Sequence, residues 1–235
     1  MMSEIIRFEE VNYCYQNTTQ LALNNVSFSL MEGDYTAIVG TSGSGKSTLM
    51  SIIGLINSPS SGHYYLFDTN VAQITERSKA KLKNQEIGLI FQNFNLLGHL
   101  SVFHNVCLPL TYDANTPRKL YREKALNALR QVDMEDYIDR YPNQLSGGQQ
   151  QRIAIARAIV NEPSLLLADE PTGNLDSHNA QVVFSILEKL NAEGRTICLI
   201  THDENFALKA KRQLVIRDGM LVTQKQDASH VLQCS

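Results

Sequence analysis

An α/β fold is what this sequence predicts, with a mainly parallel core sheet, an N-terminal antiparallel β subdomain and an inserted α-helical subdomain. Three observations carry it. Gly40-Thr41-Ser42-Gly43-Ser44-Gly45-Lys46-Ser47 fits the phosphate-binding pattern G-x-x-x-x-G-K-[ST] and lies between a predicted strand and a predicted helix. Later in the chain, short apolar runs that end in polar residues alternate with helical stretches, the pattern of a parallel sheet. Between these regions, residues 93–161 change to helical periodicity.

Taken in order, Ile6, Phe8, Val11, Tyr13 and Tyr15 alternate imperfectly with polar residues, and a second apolar stretch follows around Val26, Phe28 and Leu30. This spacing predicts an antiparallel hairpin. Glu32-Gly33-Asp34 forms a turn into the strand 35–39, and a helix over 47–56 stops before the turn formers Pro59-Ser60-Ser61-Gly62. A short strand over 64–67 comes next, then a charged helix over 75–83. The apolar strand 86–91 delivers Gln92 to its C-terminal end, where open α/β sheets bind ligands. In the helical stretch, Ser101 caps a helix to Val106, a second spans 118–132 and a third 150–160. Ser146-Gly147-Gly148-Gln149 precedes that third helix and offers an anion-ready start. Residues 165–170 form a buried strand ending in Asp169 and Glu170, residues 177–190 a helix, and residues 196–200 a strand leading to His202. A hairpin on the Asp218-Gly219 turn closes the fold, and the polar tail after Gln224 is expected to fray.

Composition narrows the function classes. With 43% hydrophobic and 19% charged residues among 235, and a net charge of −3, the chain has no general attraction for nucleic acid. No apolar run approaches the roughly 20 residues that cross a bilayer, and Met1-Met2-Ser3-Glu4 lacks a signal-peptide layout, so a cytosolic chain is expected. Cys14, Cys107, Cys198 and Cys234 are scattered without C-x-x-C spacing, which predicts reduced, packed thiols. The six histidines form no H-x-x-x-H pair.

The chemistry starts at the glycine loop. Its glycines let backbone N–H groups turn inward and join the positive end of the next helix in cradling phosphate oxygens. Lys46 can then reach the β- and γ-phosphates, and the Ser47 hydroxyl can ligate Mg²⁺. Phosphoanhydride hydrolysis also needs a positioned water and a held metal. Asp169 is a candidate metal ligand, directly or through water, and Glu170 can polarise the attacking water. His202 can contact the γ-phosphate or orient that water, and Gln92 can complete the metal and water environment. Singly, each feature has a plainer explanation: a Gly/Ser loop, acids that cap a helix, a structural histidine. Their co-occurrence favours catalysis.

The glycine loop, Leu145-Ser146-Gly147-Gly148-Gln149, Asp169-Glu170, Asn174-Leu175-Asp176 and His202 follow one another in an order that resembles the ATP-binding subunit of an ABC transporter. Phe91-Gln92-Asn93-Phe94-Asn95-Leu96-Leu97 and Pro171-Thr172-Gly173-Asn174-Leu175-Asp176-Ser177 are most similar to the group serving macrolide export, lipoprotein release and antimicrobial-peptide export. The resemblance implies a P-loop NTPase of ABC ATPase type over residues 1–235, with 93–161 as its helical subdomain. It implies ATP contacts from Tyr15, stacking on adenine, and from Gly40, Thr41, Ser42, Gly43, Ser44, Gly45, Lys46, Ser47 and Thr48. Ser146, Gly147, Gly148 and Gln149 would contact ATP held by a second copy of the chain, and Asp176 would connect the two composite sites of that head-to-tail dimer. One departure stands out: after Ser61-Gly62 the family often has Gly then Asp where this chain has Asp68 and Asn70, a turn that Asp can still support.

The implied function is an ATP-hydrolysing motor that dimerises around two ATP and drives a membrane permease. The permease would hold it at the cytoplasmic face of the cell membrane and export or extract a peptide, lipoprotein or drug-like substrate. A membrane-associated ATPase that regulates a cell-wall or signalling partner is the alternative. DNA-repair and chromosome ATPases need a long coiled coil that is missing here, and ribosome-associated members carry two nucleotide modules per chain. Phe94, Leu96, Leu97 and Leu100 crowd the segment after Gln92, so some should stay exposed and the permease should dock near residues 93–106.

Overall fold

The computed structural model describes residues 3–16, 18 and 20–226. The elements run β1 (Glu4–Cys14), β2 (Leu21–Met31), β3 (Tyr35–Val39), α1 (Lys46–Ile53), β4 (Ser61–Leu66), β5 (Thr69–Asn70), α2 (Glu76–Glu86), β6 (Ile87–Phe91) and α3 (Val102–Tyr112). They continue with α4 (Tyr121–Arg130), α5 (Gly147–Ile159), β7 (Leu165–Asp169), α6 (Ser177–Ala192), β8 (Thr196–Ile200), α7 (Glu204–Lys209), β9 (Arg212–Arg217) and β10 (Met220–Gln226). Two compact units result, one from the chain up to Ile74 together with the chain from Thr196 on, the other from Thr75–Arg195.

The first unit contains an antiparallel sheet in the order β2-β1-β4-β5. Phe8 is its keystone: it stands opposite Phe28 on β2 and Tyr64 on β4, with ring centroids 4.9 and 4.6 Å away. Such cross-strand aromatic pairs fix register as well as burying area. The buried Tyr64 hydroxyl donates to Ile53 O at 2.8 Å and so ties the sheet to the end of α1. At the other end of β4, Phe67 (φ 49) and Asp68 (φ 59) both take left-handed conformations in the turn to β5, so the turn survives without glycine. The unit's other strands are β3, fully buried along Tyr35, Thr36, Ala37 and Ile38, and its parallel neighbours β8 and β9, with β10 antiparallel on β9.

In the second unit β6 and β7 pair in parallel, and helices α3, α4 and α5 pack together. Ile153, Ala154, Ile155, Ala156 and Ile159 bury the middle of α5 on nearly all sides. Asn105 is wholly buried on α3: its Oδ1 accepts from the Leu97 N–H, and its Nδ2 donates to the carbonyls of Leu97, Leu100 and Ser101. One side chain thereby organises the loop before the helix.

Several boundaries differ from the sequence expectations. α1 stops at Ile53, because Leu55 turns left-handed at φ 54 and the Ile56 N–H reaches back to Ser51 O at 2.8 Å. α3 continues past Val106 to Tyr112 with Pro109 inside it. Glu86 ends α2 rather than starting β6, and α5 begins at Gly147, three residues early. α7 and β5 were not anticipated. The strand β10 extends to Gln226, and the rest of the expected frayed tail, with Cys234, lies outside the described residues.

Candidate functional site

Each unit carries its own share of the candidate residues. In the first, β3 delivers the chain into the glycine loop, and the loop is held from three sides. A Cβ on Gly40 would overlap Ile216 O at the end of β9, and one on Gly45 would come within 2.6 Å of Ala22 O on β2. Gly219, in the β9–β10 turn, donates its N–H to Ser44 O at 2.9 Å. Gly43 and Gly45 have φ 76 and 105, a region that only glycine enters cheaply. The turn that closes the fold is thus a buttress of the phosphate loop, a role with no signal in the sequence.

Lys46 Nζ donates to Gly40 O at 2.9 Å and to Thr41 O at 2.8 Å, so its ammonium is drawn over the loop. Because α1 starts after Gly45, no side chain caps its first turn. Uncapped N–H groups and a lysine are the donor set that phosphate requires. Ser47 and Thr48 open the helix. Thr48 Oγ1 shares a hydrogen bond of 2.8 Å with Tyr15 OH, and Tyr13 packs edge-on against the Tyr15 ring at 5.0 Å. Tyr15 follows β1 with 48% of its surface exposed, an aromatic face offered beside the helix start. His202 is exposed, two residues beyond β8, where Thr201 Oγ1 accepts from the Asp203 N–H.

In the second unit, Asp169 is the last residue of β7, and Glu170 follows with φ 47. For a non-glycine residue that conformation costs about 1–2 kcal/mol, and such strain collects at functional positions. Residues 170–173 close a turn through Gly173 N–H to Glu170 O at 3.0 Å. Gln92 lies against that turn: its Nε2 donates to Asn174 Oδ1 at 3.1 Å, Asn174 Nδ2 donates back to Gln92 O at 3.2 Å, and a Cβ on Gly173 would meet Gln92 Nε2 at 2.8 Å. The unit therefore brings Gln92 and the loop after Glu170 together.

Ser146 Oγ accepts from the Gln149 N–H, and Gln149 Oε1 accepts from the Ser146 N–H, a reciprocal cap on α5. Gln149 therefore serves its own helix as well as any ligand. Gly148 has no room for a Cβ because Asn179 of α6 fills that space. Asn179 is in turn held by Asp176, whose carboxylate caps α6 and accepts from Asn179 N and Nδ2 at 2.8 and 2.6 Å. Those donors hold the Asp176 carboxyl below its usual pKa. Asp176 thus sets the start of α6 and, through Asn179, the start of α5.

Sequence reasoning missed Asn105, Gln151 and Arg157, although Asn105 and Gln151 share one signal, a polar residue on an otherwise apolar helical stripe. The second unit also carries a groove of about 860 Å³ between α2, β6 and α3, lined by Ala80, Leu89, Phe91 and Pro109, with Arg77 and Lys81 at its rim. Tyr112 borders it with 79% of its surface exposed, and Leu97, in the loop before α3, is 40% exposed. Among the described residues no helix is long and apolar enough to cross a membrane. Nor do three His, Cys, Asp or Glu side chains gather there into a metal cluster; magnesium accompanying nucleotide phosphates needs few protein ligands.

Comparison with known proteins agrees with this geometry. Residues 23–173 match the family model described as ABC transporter. The chain is 47% identical over 201 residues to the macrolide export ATP-binding/permease protein MacB of Syntrophobacter fumaroxidans, covering 85% of this chain and 28% of that protein. It is 44% identical over 209 residues to the ABC transporter ATP-binding protein YvrO of Bacillus subtilis, covering 88% and 91%. The chain thus spans about a third or less of the MacB relatives it matches. Among solved structures, the ATP-binding cassette MJ0796, in a dimeric post-hydrolysis state bound to ADP and Pi, superposes with a TM-score of 0.86 at 36% identity, over 94% of this chain and 98% of that one. The cbiO1 protein of Clostridium perfringens, part of the ABC transporter complex cbiONQ, superposes with a TM-score of 0.86 at 32% identity, over 95% and 88%. With its phosphate loop, the signature turn Ser146-Gly147-Gly148-Gln149 and paired acids in the family's order, the chain belongs to the ABC transporter family, as one of its ATP-hydrolysing ATP-binding cassettes.

Proposed function

We propose that this cassette is the motor of an exporter, dimerising around two ATP and driving a membrane permease that holds it at the cytoplasmic face of the membrane. The observation that carries the nucleotide half is the phosphate loop, with two glycines that admit no Cβ and Lys46 drawn over it. The export half rests on MacB, an ATP-binding/permease protein whose ATP-binding part this chain resembles over nearly its whole length.

In this reading the loop amides and Lys46 neutralise the β- and γ-phosphates, and Tyr15 stacks on adenine. Ser47 and Asp169 would hold Mg²⁺, with Gln92 completing its surroundings; the ion supplies charge that stabilises the leaving phosphate oxygens. Glu170 accepts the proton of the attacking water, and His202 orients that water or contacts the γ-phosphate. Ser146, Gly147, Gly148 and Gln149 serve the ATP of a second copy, across an interface that Asp176 helps to form. A dimeric cassette among the solved relatives supports that arrangement. Residues 93–161 act as the helical subdomain.

The permease would dock on the groove beside β6 and on the exposed loop around Leu97, the helix-in-groove mode of recognition. Co-expression with a four-helix membrane protein carrying a large extracytoplasmic domain, encoded beside this chain, tests the reading. A copurifying complex whose ATPase rises with an exported peptide or macrolide is the expected result. A complex that forms and hydrolyses ATP but moves no substrate would replace export by regulation.

A further inference from the structure

Gln151 and Arg157 belong to neither the phosphate loop nor the signature turn, yet both reach from α5 to the backbone on either side of Gln92. Gln151 is wholly buried, and its Nε2 donates to Phe91 O at 3.3 Å and to Pro171 O at 2.7 Å. Phe91 immediately precedes Gln92, and Pro171 immediately follows Glu170. Two carbonyls facing one nitrogen fix the amide orientation, since a flipped amide or a carboxylate would set oxygen against oxygen. The Gln151 Oε1 is buried without a partner among the described residues, so a group chosen only for packing would be apolar here.

Arg157 holds the other side. Its guanidinium donates from Nη2 to Phe94 O at 2.8 Å and from Nη1 to Asn95 O at 2.6 Å. Phe94 and Asn95 have φ 53 and 51, left-handed conformations that non-glycine residues keep only when their surroundings impose them. Burial lowers the Arg157 pKa, the mark of a cation placed where solvent does little for it. The two residues lie six apart, about 9 Å along the helix. Gln92 is therefore gripped on both sides by the helix that Ser146 begins.

We propose that Gln151 and Arg157 are positioning residues for ATP hydrolysis: they fix Gln92 and the turn after Glu170 to α5, so that these groups and the signature turn keep one geometry. This rests on the reading that Gln92 acts at the nucleotide. Without the grip, residues 94–95 relax toward ordinary backbone basins and carry Gln92 with them.

The test is a mutant cycle on the full chain with Mg²⁺-ATP, using Gln151→Met, Arg157→Lys, Gln92→Ala and the two doubles with Gln92→Ala. Each α5 variant should lower kcat about tenfold with KM for ATP within about threefold, and adding it to Gln92→Ala should change kcat less than about twofold further. Amide exchange over residues 92–97 should accelerate in both single variants while melting stays cooperative. If Gln151→Met does not fold, Arg157→Lys carries the same test. Full kcat in a folded Arg157→Lys variant overturns the proposal. A slowed Gln92→Ala with additive doubles also overturns it while leaving the role of Gln92 intact. Wild-type turnover by Gln92→Ala removes the role of Gln92, and the positioning role with it.

Discussion

Glu170 combines strain with a proposed chemical task, and the two can be separated. Glu170→Gln keeps the left-handed backbone and most hydrogen bonding but loses the basic carboxylate. Hydrolysis should fall at least about 100-fold while ATP still binds. Size-exclusion chromatography should then show an ATP-dependent dimer, and a monomer at saturating ATP would count against the head-to-tail dimer. Lys46→Ala, which removes the cation above Gly40 and Thr41, should weaken ATP binding and abolish turnover together. The buried thiols give a second check at this scale. Burial raises the Cys107 pKa to about 11 and the Cys198 pKa to about 12. At pH 8 roughly 1 in 10³ and 1 in 10⁴ of them are thiolate, so iodoacetamide should label the partly exposed Cys14 well before either. The same shifts set a pH dependence. Unfolded thiols lose protons near pH 8.5 and the folded ones do not, so this contribution to stability is complete below about pH 8.5 and is lost as pH rises toward 12. The urea midpoint should therefore fall above pH 8.5, less steeply in Cys198→Ala.

At the scale of elements, the starts of α5 and α6 form one device. Gly148→Ala would drive a methyl group into Asn179, which Asp176 holds rigid, so it should destabilise the protein by about 1–3 kcal/mol. Adding Asn179→Gly should recover part of the loss, measured by denaturant melts, whereas no recovery would place the strain elsewhere. Ser-Gly-Gly-Gln announced α5 as a family motif, but its start was read three residues late, because two glycines argue locally against the helix that the reciprocal Ser146–Gln149 cap begins. Strands 165–169 and 196–200 were legible as continuous apolar runs. The end of α3 was not, because Pro109 and the buried polar Asn105 both argue locally against a helix that tertiary contacts nevertheless complete. Nor was the grip on Gln92, since Gln151 and Arg157 reveal their partners only once carbonyls 20 to 63 residues away are brought to them. The candidate site residues stand in recognisable motifs; the residues that hold them do not.

For the whole molecule, the proposed motor needs a route from Gln92 to the proposed docking surface. Gln92 connects the groove-lining strand β6 to the loop of Leu97, and α5 grips both sides of it, so a change at Gln92 has a mechanical route to the exposed surface. Leu97 is the informative position. Its side chain is 40% exposed, but its backbone N–H and C=O are both held by Asn105. A charge can therefore be added to the surface while the loop keeps its shape. Leu97→Glu should change stability by less than about 0.5 kcal/mol, as surface substitutions usually do. Basal ATP hydrolysis by the isolated chain should stay within about twofold of wild type, because the substitution alters neither Gln92 nor its ties. Association with the permease should nevertheless fall, because a carboxylate would have to be desolvated at the contact. Copurification from detergent-solubilised membranes and ATPase of the isolated chain read the two effects separately. Normal assembly and transport by Leu97→Glu would move the docking site away from this loop. Collapse of the isolated activity would show instead that Leu97 supports the catalytic unit from within.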